Sequence, residues 1–174
     1  MRMKIITAIL FLFSCVTCSS QQDDPEFPKG FIMHARLHNG MLSRFNSSPD
    51  LYLGGLQLVP QFTVVEHRLR LGAMAGSFYS ANKIAFEFGP TASIKLKTLH
   101  AGIFGSAANI HLSVDHLWGT GRQRLVGGGI NLDLLNLLIV GISVHRDYHL
   151  NNWWMQQSLA VRISKKKKII EPFN

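Results

Sequence analysis

The sequence predicts an all-β protein, an eight-stranded antiparallel up-and-down transmembrane β-barrel. Apolar and polar residues alternate with period two in one segment after another. Several of these segments exceed the roughly 9 to 11 residues with which a tilted strand crosses a bilayer. Their polar faces carry mostly small residues and charges. A soluble sandwich packs its apolar faces together, whereas a membrane barrel turns them outward and fills a narrow lumen with polar groups.

The chain has 174 residues, enough for one domain of ordinary size. Residues 1 to 20 read as a secretory signal peptide: Arg2 and Lys4 precede an apolar run from Ile5 to Val16 that is too short for a membrane-spanning helix. Residues 21 to 29 form a linker, 30 to 163 the barrel and 164 to 174 a basic tail containing Lys165 to Lys168. Both cysteines, Cys15 and Cys18, fall inside or beside the signal, so the mature body carries no disulfide and no cysteine-based metal site. Two readings of this region stay open. Ordinary cleavage near Ser19 to Gln21 removes both cysteines; alternatively, Leu12-Phe13-Ser14-Cys15 or Cys15-Val16-Thr17-Cys18 acts as an imperfect lipoprotein box and one cysteine is lipidated.

The predicted strands are 30 to 40, 51 to 64, 67 to 79, 83 to 96, 99 to 115, 122 to 133, 135 to 147 and 153 to 163. The fourth is the clearest, with Ile84, Phe86, Phe88, Ala92, Ile94 and Leu96 on one face and Glu87, Gly89, Thr91, Ser93 and Lys95 on the other. The fifth sets Phe104, Ala108, Ile110, Leu112 and Val114 against Asn109, His111, Ser113 and Asp115. The seventh sets Leu138, Val140, Ile142 and Val144 against Ile139, Gly141, Ser143, His145 and Asp147. Loops are expected at Met41 to Asp50, Ser80 to Asn82, Trp118 to Gly121 and Tyr148 to Asn152. Tight turns are expected near Val65-Glu66, Lys97-Thr98 and Leu134 at the opposite end. Tyr52, Tyr79, Trp118, Tyr148, Trp153 and Trp154 gather near the loop end, where amphipathic rings would form an interfacial girdle. Fewer aromatics, mainly Phe27, Phe31 and Phe62, mark the other rim.

On this pattern, residues 30 to 163 resemble the small eight-stranded outer-membrane barrels of Gram-negative bacteria, of the Bacteroidetes type. Ser19-Ser20-Gln21-Gln22-Asp23-Asp24 also resembles the acidic segment that directs some lipoproteins of that group to the cell surface. The resemblance implies an outer-membrane location. In that family the last strand carries the assembly signal and usually ends in an aromatic residue; here Trp153 to Ile163 alternates suitably, but the chain continues through the lysine run.

Three candidate sites emerge. His111, Ser113 and Asp115 share a face of the fifth strand, and a serine beside an imidazole oriented by a carboxylate is the arrangement of nucleophilic catalysis. The spacing resembles the His-x-Ser motif of an outer-membrane lipid A deacylase. That motif continues with Asn where this chain has Val114, and its residues face lipid, whereas these lie on the polar, inward face. Secondly, His111, His116, His145 and His149 lie toward the outer end without a tight metal-ligand spacing. Thirdly, Arg36, His38, Arg68, Arg70, Glu87, Lys95, Asp133, His145, Asp147 and Arg162 are expected to pair inside the lumen, because an isolated buried ion costs several kcal/mol or more. Gly127-Gly128-Gly129 lies in a strand with no following helix and therefore marks curvature or close packing.

The formal charge is +8, but Arg2 and Lys4 leave with the signal and Lys165 to Lys168 sit in the tail. For an exported chain such charge points to lipid phosphates and other envelope proteins as partners, not to nucleic acid. No cofactor is expected. The function read from the sequence is a non-enzymatic structural or accessory barrel. Its alternatives are a lipid-acting hydrolase using His111 and Ser113, and a lipid-anchored, lipocalin-like binding barrel, whose lumen would have to be apolar.

Overall fold

Each alternating run becomes one strand, because with period two a single side of the backbone accumulates the groups that avoid water. The computed structural model describes residues 30–44, 51–65, 68–100, 106–134 and 137–163. In it β1 (Phe31–Ser43), β2 (Leu51–Val65), β3 (Leu69–Ser80), β4 (Lys83–His100), β5 (Ser106–Gly119), β6 (Arg124–Leu134), β7 (Leu138–Asp147) and β8 (Asn152–Arg162) pair antiparallel in chain order. The barrel closes where β8 returns to β1, in a register running from His34↔Arg162 to Ser43↔Trp153. Closure leaves no open edge. The signal peptide, linker and basic tail expected at 1 to 20, 21 to 29 and 164 to 174 lie outside the described residues.

The strand count and order agree with the sequence reading, but β1 runs on through Met41, Leu42 and Ser43, into the loop expected at Met41 to Asp50, and the boundary between the fourth and fifth strands also differs. The turn expected at Lys97-Thr98 is absent: both residues belong to β4, opposite Ile110 and Asn109. Shifts of register between Lys95 and Lys97 and between Leu99 and His100 account for the error. An extra residue in a strand reverses the alternation from that point. Leu96 and Lys97 are therefore both exposed, which in a sequence looks like the end of a strand.

Two prolines interrupt the ladders without breaking the wall. Pairing of β2 with β3 lapses between Leu58↔Ala75 and Gln61↔Gly72, around Pro60. Pairing of β4 with β5 lapses between Phe88↔Trp118 and Thr91↔Asp115, around Pro90. Proline has no N–H to donate, so each lapse sits where a ladder bond is unavailable.

Two of the turns at the loop end, β3–β4 and β7–β8, are short and locally specified. Ala81 and Asn82 both take positive φ, 49° and 60°, as a two-residue hairpin turn demands, and the Tyr79 hydroxyl donates to Asn82 Oδ1 at 2.8 Å. The β7–β8 turn is built on Asp147, whose Oδ1 accepts from the backbone N–H groups of Arg124, His149 and Leu150 at 3.3, 3.0 and 2.9 Å. Asp147 thus organises a turn instead of joining the central lumen network. At the opposite end Arg68 is exposed in the β2–β3 turn, a correction to its expected place in the lumen.

The outer wall is apolar: Ile84, Ile142 and Phe86 are 71%, 65% and 61% exposed, and Phe88, Val114, Ile130 and Val144 lie among them. The inner side is divided. At the loop end Leu53, Phe78, Leu117, Leu125 and Trp154 form an apolar plug that continues to Val59 and Met74. Polar groups fill most of the remainder, with Ile32, Ala108, Ile139 and Ala160 buried among them. Trp154 is a further correction, since it is 1% exposed inside the barrel and packs edge-on against Phe78, with centroids 5.0 Å apart. Adjacent residues of a strand point to opposite faces, so only Trp153 of the pair can belong to the girdle.

Candidate functional site

The residues able to carry chemistry converge in the lumen, and one cross-strand row organises them. Thr91, Asp115, Gly127 and His145 lie opposite one another on β4, β5, β6 and β7. Gly127 contributes no side chain, which lets His145 reach across β6 until its Nε2 is 3.3 Å from Asp115 Oδ2. A Cβ on Gly127 would stand 2.6 Å from His145 Cα and 2.9 Å from its Cδ2. The first glycine of the triplet therefore serves close packing. Thr91 Oγ1 donates to the other carboxylate oxygen, Asp115 Oδ1, at 2.5 Å.

The remaining charges form two sets along the lumen. Glu87 Oε1 accepts from Gln57 Nε2 at 2.6 Å, and the Arg36 guanidinium lies in the field of both Glu87 and Asp115. Nearer the chain termini, Asp133 lies in the field of Arg162 and Arg70. Grouping charges of opposite sign offsets the desolvation that each would suffer alone. Neutral bonds fill the spaces between: Gln61 to Ser93 at 3.0 Å, Asn131 to Ser113 at 3.1 Å and Thr98 to Asn109 at 2.9 Å.

His111, Ser113 and Asp115 share the inward face and are all buried. They do not form a relay. Ser113 Oγ accepts from Asn131, and the partners of Asp115 are Thr91 and His145, so neither residue bonds to His111. The carboxylate orients the imidazole of β7, a pairing that strand spacing alone could not reveal because it depends on the gap at Gly127.

The histidines also separate. His111 and His145 face inward, His116 stands on the outer wall with Nε2 3.1 Å from the Tyr148 hydroxyl, and His149 lies in the β7–β8 turn. Among the described residues no three metal-ligating side chains converge. The outer rim does gather as expected around Tyr52, Tyr79, Trp118, Tyr148 and Trp153, all exposed. The Arg146 guanidinium lies 5.0 Å from the Trp153 ring and bonds to Asn151.

No protein-family model matches the chain, and no curated protein matches it in sequence. Among solved structures it is similar to a de novo designed transmembrane β-barrel, at 9% identity and a TM-score of 0.50, over 82% of this chain and 98% of that one. A second designed barrel, determined by NMR in solution, aligns at 14% identity and a TM-score of 0.49, over 83% and 100% of the two chains. The first likeness shows the fold, a small closed barrel of the transmembrane type.

Proposed function

We propose that this chain is exported and inserted into the outer membrane of a Gram-negative envelope, where it serves as a structural or accessory barrel. One observation carries the reading: large apolar side chains cover the outer wall while the charges of the strand centres are buried inside. In water that distribution would expose a broad apolar surface. In a bilayer it is what solvation requires. The lumen is filled by the apolar plug and two charge sets, as suits a barrel of eight strands, whose interior is only wide enough for side chains. That filling favours a structural role over a wide channel, and its polar part disfavours a lipocalin-like apolar cavity.

The loop end suggests orientation and partner. Arg44, Lys83, Arg122 and Arg124 are exposed there, beside Arg146 and the aromatic rim. Cations next to interfacial rings suit a leaflet rich in lipid phosphates. The loop end then faces outward, and other envelope proteins are the natural partners of the accessory role.

Fractionation tests the location. The mature chain is expected to stay with outer membranes through carbonate and urea washes and to migrate differently in heated and unheated gels; release into the soluble periplasmic fraction overturns the proposal. A second experiment bears on activity. Ser113→Ala is expected to leave lipid A and phospholipid composition unchanged in mass spectra of envelope lipids, because Ser113 sits in a buried hydrogen-bond network. Disappearance of a deacylated species in the variant would make the hydrolase reading the better one.

A further inference from the structure

Along the outer wall, period two places Met33, Ala35, Leu37, Asn39 and Met41 of β1 beside Met155, Gln157, Leu159 and Val161 of β8. Asn39 and Gln157 break the apolar series. They lie directly opposite each other, both exposed, and neither side chain has a hydrogen-bond partner among the described residues. Gln157 lies four residues from Trp153 of the rim, which at a barrel tilt puts it about 10 Å into the hydrocarbon. Two primary amides at that depth each carry unsatisfied donors and acceptors, at a cost that acyl chains cannot relieve.

The adjoining wall is grooved. Gly54 lies opposite Asn39 on β2, with the Tyr52 ring folded over it, its hydroxyl 2.6 Å from where a Cβ would stand, and beside this ring a shallow groove runs between Leu37, Leu56 and Leu159. The groove opens sideways toward lipid, so it suits a surface and not an enclosed small molecule.

We propose that this β8–β1–β2 face is the interface of a homodimer in the membrane, with Asn39 and Gln157 of the two copies hydrogen-bonded across a two-fold axis along the membrane normal. Amides are self-complementary, each group being donor and acceptor at once. Two copies inserted the same way hold these amides at the same depth, so a two-fold interface meets the hydrogen-bonding requirement without any further adjustment. A lipid tail fills the groove but leaves the amides unpaired. The inference rests on the chain's spanning the bilayer.

The test uses the full barrel reconstituted in phosphatidylcholine vesicles, with dimerisation read by energy transfer between singly labelled copies over a range of protein-to-lipid ratios. The wild type is expected to dimerise, and Asn39→Leu with Gln157→Leu to shift the midpoint at least about tenfold toward monomer. Both substitutions add apolar surface facing lipid, so heat-modifiable mobility should be retained. Cysteine cross-linking is an independent reading: Leu37→Cys should cross-link between copies and Phe86→Cys, on the far wall, should not. A monomeric wild type, an unshifted double variant or equal cross-linking at the two cysteines overturns the dimer. Loss of heat-modifiable mobility in the wild type would instead overturn the membrane reading beneath it.

Discussion

Ile142→Arg is expected to lower the stability of the vesicle-inserted barrel by about 2 to 4 kcal/mol, the cost of a cation near the midplane of a lipid-facing strand. Ile142 lies between Val140 and Val144 on the outer face of β7, opposite Ile130 of β6, and is 65% exposed. Among the described residues its other cross-strand neighbour is Gln157 of β8, which offers an amide but no anion. The inward neighbour provides the contrast: Ser143 makes a single long bond, to Gln156 Oε1 at 3.4 Å, so Ser143→Ala should cost no more than about 1 kcal/mol. Urea midpoints of the two variants in the same vesicles measure the difference. On a water-facing wall, Ile142→Arg would stay within about 0.5 kcal/mol of wild type. A small effect at Ile142 would therefore mean that the apolar wall does not meet hydrocarbon.

That wall was the legible part of the sequence. β7 and most of β4 alternate without interruption, and the face that collects Phe86, Phe88, Ile94, Val140 and Val144 can only be apolar solvent or core. The inside was harder to read, because period two assigns a residue to a face but does not say which partners meet there. Asp115 was legible as inward; its partner was not, since the contact with His145 crosses β6 at a residue that has no side chain. Local irregularity hid the rest. The bulges at the end of β4 mimic a turn, and the apolar plug of Leu53, Leu117 and Leu125 puts large aliphatic residues where the rule of a polar lumen expects small or charged ones. Trp154 was misplaced for a related reason: two tryptophans at a strand end both look interfacial, although the pleat separates them.

The plug also closes the loop end of the lumen above the charged row, which links packing to electrostatics. Trp154 lies opposite His145 in the pairing of β7 with β8, so the buried indole is the inward cross-strand neighbour of the histidine that bonds to Asp115. Water excluded at this level cannot compete for the His145–Asp115 contact, and a hydrogen bond in a dry interior is stronger than one in water. The plug and the charge set beneath it therefore stabilise one another, and loss of the largest plug residue should weaken both.

Trp154→Ala is accordingly expected to destabilise the barrel by about 3 to 5 kcal/mol, the usual range for truncating a fully buried tryptophan. The removed ring leaves a cavity bordered by Phe78 and the surrounding leucines, and strands held on both sides by ladder bonds can close on it only slightly. Trp153→Ala removes the same atoms from the next residue of the same strand, but there the ring lies at the rim, 36% exposed beside Arg146. Its loss removes an exposed cation–π contact of about 0.5 to 1 kcal/mol together with part of an interfacial anchor. Composition and strand position are matched, so the comparison isolates the face. Urea midpoints for the two variants should differ by about 2 kcal/mol or more, with Trp154→Ala the weaker barrel. Equal losses would return Trp154 to the outer girdle and leave His145 and Asp115 open to water at the loop end.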